Sequence, residues 1–274
     1  MNNGSGPVLI AVAHSSEEGA VRRAAEAARF PCEIIVTGVG GAAMSWALQK
    51  RFSEGGLHGG HRPGSIPKGA QSAAFADGTT AAALHGDNTP QVLHGYNTPL
   101  ALPSLVIGAG IAGSYSPAFP PGTVVTTSSD CFADMGVDDN GGFRSVYGAG
   151  LADPDAPPFT VGRIVCSGSW FDIAAGILPP VTGATVNMTS GSQPVIDRIR
   201  EAWNPDIETM EGAWIAYLCA MAGIPWIAVR AVSNMVEPRN RDKWDIPFAL
   251  RSLEEKMTQL FELTTRPAGS GEGR

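Results

Sequence analysis

The sequence predicts an α/β fold, a single three-layer domain in which helices cover a central mixed, largely parallel sheet. Short apolar runs alternate along the chain with segments of helical periodicity. Such repeated alternation is typical of α/β domains. A length of 274 residues and a hydrophobic content of 43% allow a sizeable core. We expect one domain over residues 1–265.

The apolar runs and the periodic segments give the predicted elements in order. Capping residues and breakers set their ends, for example Ser15 with Glu18 as a capping box and Gly223 with Pro225 as a stop signal. After residue 244, Asp245 is expected to cap a last helix that has Pro247 in its first turn. The predicted strands are 8–13, 34–37, 105–107, 122–127, 162–166, 184–188 and 226–232, and the other predicted helices are 15–29, 42–51, 171–178, 193–203 and 208–222.

Two segments fall outside this alternation. Residues 53–99 are rich in Gly and His, and so long a stretch without regular structure is uncommon inside a compact domain; we expect an insertion at the rim of a site. His58 and His61 lack a carboxylate or cysteine at ligand spacing, so no metal site is predicted there. The glycine-rich tail 266–274 is expected to be disordered.

Charge and cysteine usage exclude several classes of protein. A formal net charge of −7 disfavours a nucleic-acid partner. The four cysteines have no CxxC spacing and are expected to be reduced and buried. The amino terminus lacks a basic segment and has only a short apolar run, which disfavours a signal peptide or a membrane span. We therefore expect a cytoplasmic protein.

Polar groups concentrate around the last predicted strand. Arg230 lies inside an apolar strand, where a charge is costly unless it is paired, and Glu208 and Glu211 are the nearest carboxylates in sequence. Asn234 follows the strand, and ligands of α/β sheets bind at the carboxyl ends of strands. Glu211 is predicted in the first turn of a helix, a position that favours acids for structural reasons alone; the same applies to Glu17.

Residues 108–113 form a GxGxxG pattern after a strand, which invites a dinucleotide-binding interpretation. That motif needs a helix whose amino end holds the pyrophosphate. Pro117, Pro120 and Pro121 follow Gly113 within eight residues, so no such helix is expected. A nicotinamide- or flavin-binding protein is therefore disfavoured.

The segments ETMEGA at 208–213 and RAVSN at 230–234 resemble the purine nucleoside phosphorylase and nucleosidase superfamily. The continuation VEPRNRDKW at 236–244 is similar to the futalosine hydrolases within it. The resemblance covers most of the chain outside 53–99 and implies a nucleoside phosphorylase-like fold. It implies that Met210 and Glu211 hold the ribose, that Asn234 faces the purine, and that Glu17, or Glu18 one register away, activates water.

The resemblance implies further substrate-binding residues. The glycine pattern resembles the superfamily's Gly-x-Ala-Gly turn, in which backbone amides of Gly110, Ile111 and Gly113 approach the sugar. Arg230 would orient Glu211, and Asp134 either shapes the site or caps a turn. The loop after the strand at 184–188 is expected to meet the purine, through the residues Asn187, Met188 and Thr189.

The resulting hypothesis is a futalosine hydrolase of menaquinone biosynthesis that releases hypoxanthine, needs no cofactor or metal, and is a homo-oligomer acting on a small nucleoside. An amide at Asn234 can donate to purine acceptors at O6 and N7, which favours hypoxanthine over adenine. Arg239 and Arg241 are candidates for holding the substrate's carboxylate. The alternatives are another purine nucleosidase, of the methylthioadenosine/S-adenosylhomocysteine type, a purine nucleoside phosphorylase, and a non-catalytic nucleoside-binding protein.

Overall fold

The computed structural model describes residues 6–56 and 101–265. The strands are β1 (Val8–Val12), β2 (Cys32–Val36), β3 (Leu105–Ser114), β4 (Val124–Asp130), β5 (Gly136–Asp139), β6 (Gly142–Ser145), β7 (Ile164–Val165), β8 (Pro180–Thr185), β9 (Ile207–Thr209) and β10 (Trp226–Met235). The helices are α1 (Ser15–Ala27), α2 (Gly41–Glu54), α3 (Ser169–Ala175), α4 (Gln193–Trp203), α5 (Gly212–Ala222) and α6 (Ile246–Thr265).

Eight strands form a mixed sheet, as predicted. Its order is β10-β4-β8-β9-β3-β1-β2, with β7 beside β4. An additional pairing between β3 and β10 closes five of the strands into a ring. Parallel pairs predominate, and the antiparallel pairs are β10 with β4, β3 with β9, and β4 with β7. The ring brings the carboxyl ends of β3 and β10 together, and short β9 lies beside them.

The helices pack around this sheet in two groups. Helices α1 and α3 contact α6, while α2 contacts α5. Phe30, which follows α1, stacks on Phe261 of α6 with ring centroids 4.2 Å apart. Each fully buried Leu, Met or Phe side chain contributes roughly 1.5–3 kcal/mol to folding. On α6 the buried side chains are Ala249, Leu253, Met257, Leu260 and Phe261.

Most predicted elements are present, and α4 has the predicted bounds of 193–203. Asp245 accepts a hydrogen bond from the Phe248 N–H at 2.9 Å, in agreement with its predicted capping role. Two predictions need correction. The capping box at the start of α1 is formed by His14 and Glu17 rather than Ser15 and Glu18. Strand β10 does not end before Asn234 but continues through it. The β5–β6 hairpin was not among the predicted elements.

A larger correction concerns the glycine-rich segment. Residues 108–113 were expected to form a turn, yet they lie inside β3, which runs for ten residues. The pairing of β3 with both β10 and β9 explains this, because backbone hydrogen bonds hold the segment extended. No helix lies between the end of β3 and the start of β4, as predicted.

Parts of the predicted organisation lie outside the described residues. These are the tail 266–274 and all of the predicted insertion except its first residues, of which Ser53 and Glu54 belong to α2. His58 and His61 are also outside. Among the helices that the structure describes, none has the length and apolar composition needed to span a membrane.

Candidate active site

A cavity of about 380 Å³ opens where β1, β3, β9 and β10 end. This volume is within the range of small-molecule sites. Its lining includes Glu17, Glu211 and Asn234, the three residues predicted to carry the chemistry, which are far apart in sequence. The predicted binding residues Ile111, Gly113, Thr189 and Met210 also line it.

Glu17 is anchored by backbone amides. Its Oε2 atom accepts hydrogen bonds from the N–H groups of Ala13 at 2.9 Å and His14 at 3.0 Å. Its Oε1 atom accepts from Ile111 N–H at 3.0 Å. These donors compensate for the burial of a side chain that is 5% exposed. Glu18 instead pairs with Arg22 on the surface, so only Glu17 reaches the cavity.

Gly110 does not line the cavity but determines the space behind it. A Cβ atom at this position would lie 2.6 Å from Oε1 of Glu17 and 2.8 Å from Nη1 of Arg230. Both distances are shorter than side chains tolerate. The missing side chain therefore lets a carboxylate and a guanidinium approach the same strand.

Glu211 occupies the residue before α5, as its N-cap, and not the first helical turn. The predicted helix start at 208 is wrong because 207–209 form β9 beside β8 and β3. The carboxylate accepts a hydrogen bond from Gly40 N–H at 2.7 Å. Burial raises the pKa of Glu211; Arg230 and the Gly40 amide oppose this, and the Glu17 charge adds to it.

Arg230 is buried, with 2% exposure, but the expected contact with Glu208 or Glu211 is absent. No carboxylate oxygen in 6–56 or 101–265 lies within 4.0 Å of its guanidinium. Its Nε and Nη2 atoms have no hydrogen-bond partner among these residues. Arg230 therefore acts on Glu211 through its charge, from inside the ring of strands, and not as a hydrogen-bonded orienting group.

Asn234 lies at an irregularity in β10, where the register against β3 shifts between Val232 and Asn234. Its Oδ1 atom accepts a hydrogen bond from Ser233 Oγ at 2.8 Å, which directs the amide nitrogen away from Ser233. The nitrogen donates one hydrogen to Met235 O at 3.0 Å. One N–H of the side chain remains for a ligand, where two had been expected.

Glu208 is a cavity residue that sequence reasoning considered only as a partner for Arg230. It accepts hydrogen bonds from Ser190 N–H at 2.9 Å, from Tyr115 Oη at 2.6 Å and from Ser190 Oγ. Burial and then the Glu208 charge raise the pKa of the Tyr115 hydroxyl, which therefore stays a donor. Ser190 follows Thr189 in the loop after β8, and no spacing in the sequence marks it.

Besides Gly110 and Arg230, three predicted residues lie away from the cavity lining, namely Asp134, Asn187 and Met188. Asp134 accepts hydrogen bonds from Asn187 through its backbone N–H, at 2.6 Å, and its side-chain nitrogen, at 3.0 Å. This pair joins the loop after β4 to the loop after β8, 53 positions away, so these bonds of Asp134 do not cap a local turn. Met188 is 65% exposed. Of the predicted loop residues, only Thr189 reaches the cavity.

Among the other residues that line the cavity is one arginine, Arg239. Arg239 has its guanidinium carbon 5.7 Å from the ring centroid of Trp244, and its Nη1 lies 3.5 Å from Thr189 Oγ1. Both Arg239 and Trp244 line the cavity, and Arg241 does not. His14 and Val39 add to the lining and were not predicted.

The model of one protein family, described as the phosphorylase superfamily, matches residues 77–266, which is more than half of the chain. The chain belongs to the phosphorylase superfamily. This confirms the predicted superfamily and its nucleoside phosphorylase-like fold. The matched range contains β3, β9 and β10, so it contains Glu211 and Asn234, while Glu17 precedes it.

Several members of the superfamily are similar to this chain. Futalosine hydrolases of Streptomyces coelicolor and Acidothermus cellulolyticus are 33% identical over 160 residues and 34% identical over 166 residues. Each alignment covers 57% of this chain, and the chain spans 64% of the length of each of these curated relatives.

Solved structures of the superfamily share the fold at low identity. The native futalosine hydrolase of Helicobacter pylori has a TM-score of 0.64 and 13% identity, over 93% of this chain and 97% of that one. A 5′-methylthioadenosine/S-adenosylhomocysteine nucleosidase of Neisseria meningitidis has a TM-score of 0.64 and 15% identity, over 94% and 99%.

Within residues 6–56 and 101–265, no group of three or more His, Cys, Asp or Glu side chains is arranged to hold a metal ion. The four cysteines are all free, and three of them are buried.

Proposed function

We propose that this chain is a futalosine hydrolase, which cleaves the N-glycosidic bond of futalosine and releases hypoxanthine in the futalosine route of menaquinone biosynthesis. One observation carries the proposal: Glu17, Glu211 and Asn234 line a single cavity of nucleoside size. The similarity to futalosine hydrolases supports it.

The three side chains match the needs of glycosidic cleavage. The reaction passes through an oxocarbenium-like sugar, which a nearby carboxylate stabilises. Glu211 is assigned to this role and to binding the ribose hydroxyls. Glu17, held by three backbone amides, is assigned to activating the attacking water. Asn234 is assigned to the departing base.

Water is the proposed nucleophile because the cavity wall at β3 offers little to phosphate. A phosphorylase holds its anion with arginine and hydroxyl groups. The β3 residues that line the cavity are Ile111, Ala112 and Gly113, which have neither.

The proposed preference for a 6-oxopurine depends on Asn234. The bond from Ser233 Oγ to its Oδ1 leaves a side-chain N–H as the group available to the base. That N–H donates to O6 of hypoxanthine, whereas a 6-amino group at the same place would face it with another donor. Sites built for one hydrogen-bonding pattern reject the other by about 10⁴-fold or more.

The 5′ substituent of the proposed substrate carries a carboxylate, and Arg239 is the cavity residue assigned to it. The guanidinium lies beside the Trp244 ring, so an aromatic acid could contact both an aromatic face and a fixed cation. Four carboxylates line the same cavity, namely Glu17, Glu208, Glu211 and Glu237. Because they repel an anion, an anionic substrate needs a cation there.

We further propose one domain over 1–265, a cytoplasmic location, homo-oligomers and no nucleic-acid partner. Free cysteines suit a reducing compartment, and the charge of −7 disfavours nucleic acid. Val36, Val39 and Trp46 are exposed apolar residues, with Trp46 at 72%, which suits a surface covered by another subunit. Light scattering that finds only monomers would contradict the oligomer.

The deciding experiment incubates the protein with futalosine, inosine and methylthioadenosine, with and without phosphate, and follows free base. We expect hypoxanthine from futalosine without phosphate, and at least about 10²-fold less from Glu211→Gln. Preference for methylthioadenosine would contradict the substrate, and a phosphate requirement would contradict hydrolysis. Binding of futalosine without release of base by the wild-type protein would indicate a non-catalytic binding protein.

A further inference from the structure

We propose that Glu208 is a specificity-determining residue, which accepts a hydrogen bond from the N1–H group of a 6-oxopurine in the cavity. The inference deepens the proposed function, since it names the group that recognises the base of that substrate. A 6-oxopurine carries a hydrogen on N1, whereas a 6-aminopurine presents a bare nitrogen there. A carboxylate therefore accepts from the first and repels the second.

The positions of Glu208 and Asn234 suit the two ends of a purine edge. In the β3–β9 pair Glu208 lies opposite Gly113, and in the β3–β10 pair Asn234 lies opposite the same glycine. Cross-strand partners point to the same face of a sheet. With strands about 4.8 Å apart, the two Cα atoms are separated by roughly 10 Å. That span accommodates a purine edge with a hydrogen bond of about 2.9 Å at each end.

Gly113 lets two side chains pack closely against β3. A Cβ atom there would lie 2.9 Å from Val236 Cγ2 and 3.3 Å from Asn234 Nδ2. Because glycine has no such atom, the Asn234 amide can lie against the strand in the cavity lining.

Glu208 is prepared to accept one more hydrogen bond. Its Oε1 atom accepts from Ser190 N–H, while its Oε2 atom accepts from the Tyr115 and Ser190 hydroxyls. A carboxylate oxygen has two acceptor sites, so one site on Oε1 remains. No Lys, Arg or His side chain in the described ranges lies within 4.0 Å of the carboxylate.

The three protein donors compensate for the burial of Glu208, which is 6% exposed. A ligand N–H at the remaining site on Oε1 would add a charge-assisted hydrogen bond inside the cavity.

The other carboxylates of the cavity have different tasks. Glu17 and Glu211 are assigned to the water and the sugar. Glu237 pairs with Lys243 at 2.9 Å. Glu208 is therefore the carboxylate left for the base.

The test compares wild type with Glu208→Leu on futalosine and on its 6-amino analogue. Leucine is similar in size to glutamate and has no acceptor for N1–H. We expect kcat/KM for futalosine to fall about 10- to 100-fold, with little loss on the 6-amino analogue, so the preference collapses. Glu237→Gln, which removes an equal charge from the cavity, should keep the preference. An equal loss on both substrates, or no change, would overturn the proposal.

A binding experiment separates this proposal from the proposed function. Calorimetry on the wild-type protein should show tighter binding of hypoxanthine than of 1-methylhypoxanthine, which lacks the N1 hydrogen, and Glu208→Leu should lose the difference. This result without any base release would reject the hydrolase and retain the role of Glu208. Equal binding of both bases by the wild-type protein would reject the role of Glu208, even where the variant does not fold.

Discussion

The carboxylate of Glu17 accepts a hydrogen bond from the backbone N–H of Ile111 at 3.0 Å, although the two residues are 94 positions apart. Parallel pairing of β1 with β3 causes the approach, since the loop after β1 then lies beside the second half of β3. The contact attaches the proposed base to the strand that forms the cavity wall. We expect both the stability and the activity of the protein to depend on this junction between Glu17 and β3.

Glu17→Gln should lose base release while the protein remains folded. The amide would direct N–H groups at backbone donors and could not take a proton from water. We expect kcat to fall about 10²- to 10⁴-fold, the usual contribution of a general base, measured as hypoxanthine formed from futalosine.

The matched control for this change is Glu18→Gln, which removes an adjacent acid that pairs with Arg22 outside the cavity. It should keep wild-type kcat. If Glu18→Gln were the inactive variant and Glu17→Gln the active one, Glu18 would be the residue that activates water.

Gly110→Ala should lower both stability and activity. The new methyl group would lie 2.6 Å from Oε1 of Glu17 and 2.8 Å from Nη1 of Arg230. Overpacking of this kind costs typically about 1–3 kcal/mol, and relief requires Glu17 to move from Ile111. Urea unfolding and base release measure the two effects.

Gly19→Ala controls for the glycine change itself. Gly19 lies in α1, and a Cβ atom there would be 3.4 Å from the flexible end of Arg23. Alanine should stabilise this helix by about 0.5–1 kcal/mol. A Gly110→Ala protein as stable and active as wild type would show that the junction tolerates displacement of Glu17.

Asp130→Asn should change how stability depends on pH. Asp130 is 1% exposed and accepts hydrogen bonds from Thr185 Oγ1 at 2.9 Å and from Cys131 N–H at 2.8 Å. Burial raises the pKa of its carboxyl to about 6, against the Thr185 bond and the Arg230 charge.

The direction in which stability changes with pH follows from proton binding to Asp130. The folded protein keeps a proton on Asp130 that the unfolded chain releases near pH 4, so the unfolding free energy falls as pH rises from about 4 to about 6. The fall is on the order of 2–3 kcal/mol. Asp130→Asn should remove this fall in the unfolding free energy, measured by urea unfolding at pH 4, 5, 6 and 7. The control is Asp139→Asn, which changes an exposed aspartate and should keep the fall. An unchanged slope would mean that Asp130 titrates alike in both states.

Arg239→Gln should weaken the binding of substrates that carry the 5′ carboxylate. A partly exposed ion pair contributes up to about 1 kcal/mol, so KM for futalosine should rise roughly fivefold. Inosine, which lacks that acid, should be unaffected. Arg241→Gln is the matched control, because Arg241 lies outside the cavity lining. Equal effects on both nucleosides would show that Arg239 does not hold the carboxylate.

The sequence by itself determined the local elements whose signals are complete within a few residues. Helix α4 has both its bounds as predicted because an amphipathic stripe, a Pro in the first turn and a left-handed Asn204 at its end act locally. The superfamily and the candidate residues Glu211 and Asn234 were also readable, since short motifs carry them. Whether Glu17 or Glu18 reaches the cavity was not, because both suit the first turn of a helix.

Only the tertiary structure decided which residues meet. The three residues of β9 carry no strand signal of their own, and they are extended because β8 and β3 pair with both of their edges. Pairing with β10 and β9 straightens the glycines of β3, and the β3–β9 register places Glu208 beside Gly113. Arg230 has no contact with a carboxylate because the closed ring of strands fixes how far its guanidinium lies from Glu208 and Glu211. Sequence spacing does not encode that distance. Cross-strand neighbours depend on register and closure, and these follow from the packing of the whole chain.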